Sequence, residues 1–211
     1  MKKYFILANL IILISIGSAQ KLQLTEAATE FRNNYNSSWI SIPDSTLRST
    51  QLAKHTPILI KAKKAIDESY TKQLQTPFVK SKDETKMYFY RAVIYLDYWM
   101  MSSYNSSIFN EISANGEEKM NEATFGSFSK CLVLDIKKQW TSDIKNKMMT
   151  YRNQSINVGV DNFIKKNYEN AFSSFKMAIE MYNVLSLTDT LAMINAALSS
   201  EKLKKTDEAF K

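Results

Sequence analysis

Glycine and proline are scarce in this chain of 211 residues, which contains four glycines and three prolines. Tight turns between short strands depend on these two residues. A sandwich or barrel of many short strands is therefore disfavoured, while the 45% of apolar residues can still form a packed core. We expect an all-α fold made of long helices.

Residues 1–19 have the features of a secretory signal peptide. Lys2 and Lys3 give a basic start, an almost unbroken apolar run extends from Tyr4 to Ile16, and small residues end the segment at Ala19. The run is shorter than the ~20 residues that span a bilayer. We predict cleavage after Ala19, a periplasmic or secreted protein, and no membrane span after cleavage.

A retained anchor is the alternative interpretation of this segment. If residues 4–19 stay attached, the protein is a membrane-tethered structural subunit of an envelope complex. The first residue of the mature protein distinguishes the two hypotheses, since it is Gln20 after cleavage and Met1 after retention.

Charge and reactive residues give little support to nucleic-acid binding or catalysis. The formal net charge is +7, but the signs alternate along segments such as 61–68, which is typical of a solvated helix face. Cys131, the only cysteine, lies in an apolar stretch and is expected to be buried. His55 is the only histidine, and the sequence has no metal-ligand cluster and no glycine-rich phosphate loop. We predict no enzyme activity, no metal, no cofactor and no nucleic-acid partner.

Helical spacing of apolar residues extends over much of the chain before residue 153. Residues 20–83 are expected to form an N-terminal helical region, in which Pro57 interrupts or bends the second helix. Between the third and fourth helices, Asn105–Asn121 is predicted to be a polar loop. The predicted helices cover residues 20–38, 46–72, 84–103 and 122–135, and a further helix begins over Thr141–Arg152.

Two pairs of small residues share one offset in the C-terminal third of the chain. Gly159 and Ala197 are 38 residues apart, and so are Ala171 and Ala209. Small residues let paired helices approach closely, and large apolar residues such as Phe175 fill the grooves between pairs. The shared offset indicates a repeated helix pair.

These residues resemble the tetratricopeptide repeat, a helix–turn–helix unit of about 34 residues. The resemblance is fullest over Ile156–Glu180, and a second unit starts at Met193 and is incomplete at the end of the chain. It implies that the following residues pack between helices: Gly159, Tyr168, Ala171, Phe175, Ala178, Ala197 and Ala209.

A weaker match precedes these units. Tyr88, Ala92 and Tyr95 follow the opening-helix pattern, with Arg91 where a leucine is usual, and Ser102–Asn121 is a long insertion. Residues 84–152 are thus predicted to be a degenerate repeat-like pair, and residues 153–211 to be regular repeats. An ordinary helical bundle with accidental spacing is the alternative, because aromatic residues of the repeat pattern are missing in both regular units.

The whole arrangement is similar to exported tetratricopeptide proteins of Gram-negative bacteria. In those, an AKKAID-like helix precedes a degenerate pair and then regular repeats, and Lys61–Glu68 here has the sequence KAKKAIDE. The resemblance implies antiparallel helix pairs stacked as a short right-handed solenoid. It also implies a scaffold that binds a protein or peptide partner, without naming that partner.

Candidate binding residues follow from the same resemblance. The first helix of each pair lines a concave face in this family, and Asn157 and Asn195 occupy equivalent positions there. In the family, this asparagine often binds a ligand's backbone. Val160 and Leu198 lie nearby, so the expected groove is apolar with asparagine anchors. The alternative is that these asparagines form hydrogen bonds only within the stack of helices. Both interpretations of the asparagines remain open.

The final predicted helix pair lacks most of its second helix. Its first helix, near Leu191–Leu203, would leave an apolar face uncovered, and such faces tend to associate with other molecules. Two explanations stay open: the chain is a fragment of a longer protein, or another molecule covers the face. Self-association through this uncapped C-terminal repeat is one form of the second.

Overall fold

The computed structural model describes residues 18–42, 44–78, 80–102 and 104–203. In these segments the protein is helical and has no β-strand, which confirms the all-α prediction. The chain divides into two compact units between Ile136 and Lys137. The boundary predicted between residues 152 and 153 is therefore displaced, because that point lies inside a continuous helix.

Unit 1 contains six α-helices among its described residues. Helix α1 covers residues 18–29 and continues into a π-helical turn, Glu30–Asn34, and a 3-10 turn, Ser37–Ser41. The next five are α2 (Ser45–Gln75), α3 (Ser81–Ser102), α4 (Ser106–Asn115), α5 (Glu117–Asn121) and α6 (Ser127–Leu134). A second π-helical turn, Glu122–Gly126, joins α5 to α6.

Helix α2 pairs with α1 and continues through its proline. The Asp44 carboxylate accepts a hydrogen bond from the N–H of Leu47 at 2.8 Å and so caps the start of α2. Pro57 does not end the helix, which excludes the first of the two expected effects, an interruption or a bend. The apolar face of α2 is buried on both sides of the proline, at Leu52 and Leu59, and this packing offsets the missing hydrogen bond.

The segment predicted as a polar loop, Asn105–Asn121, is instead helical. The Asn105 side chain accepts hydrogen bonds from the N–H groups of Ser107 and Ile108, at 3.1 and 3.2 Å, and caps α4. Gly116, with φ of 88°, supplies the left-handed backbone that separates α4 from α5. Ile108 and Met120 anchor this polar stretch because both are buried in unit 1.

The centre of unit 1 is α3, which packs against α2, α4 and α6. This burial explains its many aromatic and apolar residues, because an enclosed helix is apolar on most sides. Among the predicted packing residues on α3, Ala92 is buried, and Tyr88 and Tyr95 are half-buried. Cys131 of α6 is also buried, as predicted, and burial raises the pKa of its thiol to about 12.

Unit 2 consists of α7 (Thr141–Ile164), α8 (Tyr168–Val184) and α9 (Thr190–Lys202). Short turns connect them, so α8 runs antiparallel to both of its neighbours. Lys166 and Ser186 have positive φ angles in these turns, at 61° and 56°. The core of the unit includes Ile156, Ala171, Phe172, Phe175, Ala178, Ala192 and Ala196.

The closest approach of α7 and α8 depends on Gly159. A Cβ atom at this position would lie 2.6 Å from Cε1 of Phe175, far inside van der Waals contact. Ala171 and Ala178 are fully buried beside Phe175 on α8. These four residues are therefore buried where α7 and α8 meet.

The remaining packing predictions have mixed outcomes. Tyr168 is half-buried, and its ring lies 5.2 Å from that of Phe163. Ala197 is half-buried, whereas Ala196 is 6% exposed and belongs to the core, so the packing position lies one residue earlier than expected. Ala209 and the final partial helix lie outside the described residues, as do residues 1–17 of the predicted signal peptide.

His55 is a buried titratable group in unit 1. Its ring is 4% exposed and stands edge-on to that of Tyr35 at 5.7 Å. Nδ1 has no hydrogen-bond partner within the described part of the chain. Burial, and secondly the charge of Lys54, lowers the pKa of His55, so the folded state favours the neutral imidazole.

We predict that Gly159→Ala destabilises the protein although alanine is the better helix former. The clash with Phe175 costs about 1–3 kcal/mol, which exceeds the helix-propensity gain of about 1 kcal/mol. Gly126→Ala is the matched control, because its new Cβ would meet only the Glu122 side chain at 3.7 Å. Urea denaturation should show opposite signs for the two variants, and equal effects would contradict the close packing.

We predict that acidification below pH 6.5 weakens the fold through His55. A lowered folded pKa means that the unfolded state binds more protons in this range, so stability is lost as pH falls below 6.5. The slope attributable to one proton is at most about 1.4 kcal/mol per pH unit. His55→Leu should show a shallower slope in urea unfolding between pH 7.5 and 5.5. The same slope in both proteins would exclude His55.

Candidate functional site

An ion pair joins the middle of α7 to the start of α9. Nε and Nη2 of Arg152 donate to the two carboxylate oxygens of Asp189, at 2.6 and 2.7 Å. Asp189 also accepts a hydrogen bond from the N–H of Ala192 at 3.1 Å, so it caps α9. One carboxylate thus starts α9 and ties it to α7.

The environment of this pair favours both charged forms. Burial alone would raise the pKa of Asp189, but the bonds from Arg152 and from the Ala192 N–H hold it below its ordinary value. The hydrogen bond to Asp189 raises the pKa of Arg152. The guanidinium also lies 5.1 Å from the centre of the Tyr182 ring, on α8. Arg152 therefore contacts residues on or beside all three helices of unit 2.

The ion pair sets the register between α7 and α9. Its two residues are 37 positions apart, close to the offset of 38 between the predicted sites. Both helices are antiparallel to α8, so they run in the same direction. Asn157 and Asn195 therefore lie at similar heights along the two helices, as do Val160 and Leu198.

Each of these two helices carries a stripe of exposed, uncharged side chains at helical spacing, and on α7 the exposed Asp161 lies beside it. On α7, Val160 is 39% exposed, and Asn157 and Ile164 are also exposed. On α9, Ile194 is 54% exposed and Leu198 is 43% exposed. The stripes combine aliphatic side chains with carboxamides, which both donate and accept hydrogen bonds. We refer to Asn157, Val160 and Ile164, with Leu191, Ile194, Asn195 and Leu198, as the amide–aliphatic surface.

The two predicted asparagines differ in their surroundings. Asn157 is exposed, as a binding residue requires. Asn195 is half-buried, and its Nδ2 donates to the carbonyl of Leu191 at 3.0 Å within α9. That bond fits the alternative of a purely structural asparagine, although it uses none of the acceptor capacity of Oδ1.

A polar network in unit 1 was not predicted from the sequence. Nζ of Lys63 lies 3.1 Å from Oδ2 of Asp67 and 3.4 Å from Oε1 of Glu111. The same atom is about 5 Å from the ring centres of Tyr95 and Tyr98. Tyr95 donates its hydroxyl to Asp67 at 2.6 Å, and Tyr98 donates to Glu111. The expected solvated face at 61–68 is therefore wrong for Lys63 and Asp67, which join α2 to α3 and α4.

Arg91 is the other polar residue that joins helices in unit 1. It is 5% exposed, donates to the Glu122 carboxylate at 2.9 and 3.2 Å, and donates to Ser127 at 2.7 Å. One signal of this role is present in the sequence, an arginine in place of the usual leucine on an apolar face. A buried arginine needs an acidic partner, but that partner lies 31 residues away on a different element.

Metal sites and membrane-spanning helices are absent from the part of the chain that the structure describes. Among the described residues, no three His, Cys, Asp or Glu side chains converge as a metal site would require. No helix in those segments has an apolar stretch long enough to cross a membrane. Comparison with family models, curated proteins and solved structures found no match for this chain.

We predict that Asp189→Ala destabilises unit 2 by about 3 kcal/mol, because it leaves a partly buried arginine without its partner and removes a helix cap. Asp189→Ser should cost less, since a serine can keep the cap while losing the charge. Asp161→Ala, at an exposed site on α7, is the control and should change stability by less than about 0.5 kcal/mol. Thermal unfolding followed by circular dichroism measures all three. Equal stability of Asp189→Ala and the control would show that the ion pair does not stabilise unit 2.

Proposed function

We propose that this protein is an exported scaffold that binds an extended, aliphatic-rich segment of a partner protein on the amide–aliphatic surface. The observation that carries the proposal is the alignment of uncharged, exposed stripes on α7 and α9, held in register by Arg152 and Asp189. Exposed apolar patches on proteins often mark protein–protein interaction sites.

The chemistry of the surface selects the occupant. Its side chains carry no charge, so a highly charged segment would lose hydration there without an ionic partner. Aliphatic side chains such as Val160 and Leu198 favour apolar partner residues, and the Asn157 carboxamide can bond a peptide N–H or C=O. An uncharged peptide with regularly spaced aliphatic residues satisfies both requirements.

The repeat resemblance supports the same function. Within unit 2, the small residues Gly159, Ala171 and Ala178 are buried where the tetratricopeptide pattern needs close packing. If α7 and α9 are the first helices of successive pairs in a right-handed solenoid, their exposed stripes form its concave face. Export rests on the sequence of residues 1–19.

Panning a random-peptide display library against the full chain tests the proposal. We expect the enriched peptides to be uncharged and rich in aliphatic residues. An enriched set dominated by acidic or basic motifs would contradict the proposed chemistry.

We predict that an Asn157→Ala, Asn195→Ala double variant binds a selected peptide about five- to one-hundredfold more weakly. Each lost hydrogen bond costs about 0.5–1.5 kcal/mol. Asn170→Ala with Asn183→Ala is the matched control, because both of these asparagines are exposed on α8. Calorimetric titration should find the control unchanged. Equal affinities of the double variant and the control would remove the asparagines from the site.

A further inference from the structure

A pocket of about 440 Å³ in unit 1 has a buried cation in its wall. The cation is Arg91, and the pocket also contacts Tyr95 beside it, Met120 of α5 and Ala123 of the second π-helical turn. The lining also contains the cations Lys63 and Lys119 and the carboxylates Glu111 and Glu122. This volume falls within the range of small-molecule sites, which combine apolar walls with a few polar groups.

The guanidinium of Arg91 is fixed before any ligand arrives. It lies 3.7 Å from the centre of the Tyr70 ring and donates to Ser127 at 2.7 Å. Its Nε–H is buried without a hydrogen-bond partner among the described residues. A rigid, already desolvated guanidinium loses little entropy when it binds an oxyanion in two-point fashion.

The present anionic partner of Arg91 is better solvated than Arg91 itself. The Glu122 side chain is 56% exposed, against 7% for that of Arg91. Glu122 also begins a π-helical turn, a feature often found at functional sites. If this carboxylate rotates into water, it gives up its two bonds from Arg91 and a 3.4 Å bond from the Tyr70 hydroxyl, so another anion must replace it on the buried cation.

The charges around the pocket allow such an exchange. The positive charge of Lys63 is already matched by Asp67 and Glu111. If an incoming oxyanion replaces Glu122 on Arg91, the charge balance beside the guanidinium is unchanged. Lys119 is exposed at the rim and adds a favourable attraction for an anion.

We propose that this pocket binds a small molecule through an oxyanion group, a carboxylate or a phosphate, which takes the place of Glu122 on Arg91. The apolar part of the molecule packs against Tyr95, Ile112 and Met120. Glu122 is then an internal competitor that lowers the affinity and closes the site when it is empty. This pocket is distinct from the amide–aliphatic surface, and the proposal is independent of the peptide-binding function.

Calorimetric titration of the full chain with benzoate and with inorganic phosphate tests the exchange. Benzoate combines a carboxylate with an apolar body, and neutral benzamide is its control. We expect weak benzoate or phosphate binding at millimolar concentrations to the wild-type chain. Glu122→Gln should bind the preferred probe at least tenfold more tightly, because it removes the competing charge and keeps the side-chain shape. Preference for benzoate identifies a carboxylate ligand, and preference for phosphate identifies a phosphorylated one.

Two further variants keep the test decisive if Glu122→Gln does not fold. Lys119→Ala should weaken probe binding several-fold in the otherwise unchanged chain. Lys130 is an exposed lysine on α6 outside the pocket, and Lys130→Ala should leave probe binding unaltered. No binding of either probe to the wild-type chain, equal binding of benzamide and benzoate, or equal effects of the two lysine variants would overturn the proposal.

Discussion

The bidentate pair between Arg152 and Asp189 is the interaction on which unit 2 depends most. Helix α9 needs a cap at its first turn and an attachment to α7, and one buried carboxylate provides both. The Arg152 guanidinium reaches across the face of Tyr182, so α8 is included in the same contact. Because the pair joins fixed points on two helices, it determines which residues of α7 and α9 lie at similar heights.

Charged side chains and exposed apolar side chains occupy different places in the two units. Buried or half-buried charged residues lie where elements meet, as Arg152 does in unit 2 and Lys63 and Arg91 do in unit 1. The residues of the amide–aliphatic surface carry no charge, and all of them except the half-buried Asn195 are exposed. A buried ion pair contributes to positioning more dependably than to net stability, and here it aligns a surface suited to an uncharged partner.

Local sequence patterns predicted the helices and the close packing of α7 against α8. Gly159 and Phe175 could be found because their roles depend on spacing within one helix pair. The helical nature of Asn105–Asn121 was missed, since its polar composition concealed two buried anchors, Ile108 and Met120. The one-residue shift from Ala197 to Ala196 arose because spacing alone cannot fix the rotation of α9.

The polar contacts could not be predicted in the same way. Arg91 was recognised only as an unusual residue, and its partner Glu122 lies 31 positions away. Asp189 looks in the sequence like an ordinary helix cap, and only the fold brings Arg152 to it across 37 positions. Interactions that depend on which helices become neighbours require the three-dimensional structure, whereas those within one helix pair follow from the spacing of its residues.

Hydrogen exchange with and without a library-selected peptide tests the central claim most directly. The peptide should slow exchange in α7 from about residue 153 to Ile164 and in α9 from Leu191 to Leu198, with little change in α8 or in unit 1. Protection confined to α8 or to unit 1 would contradict the assignment of the binding surface to α7 and α9.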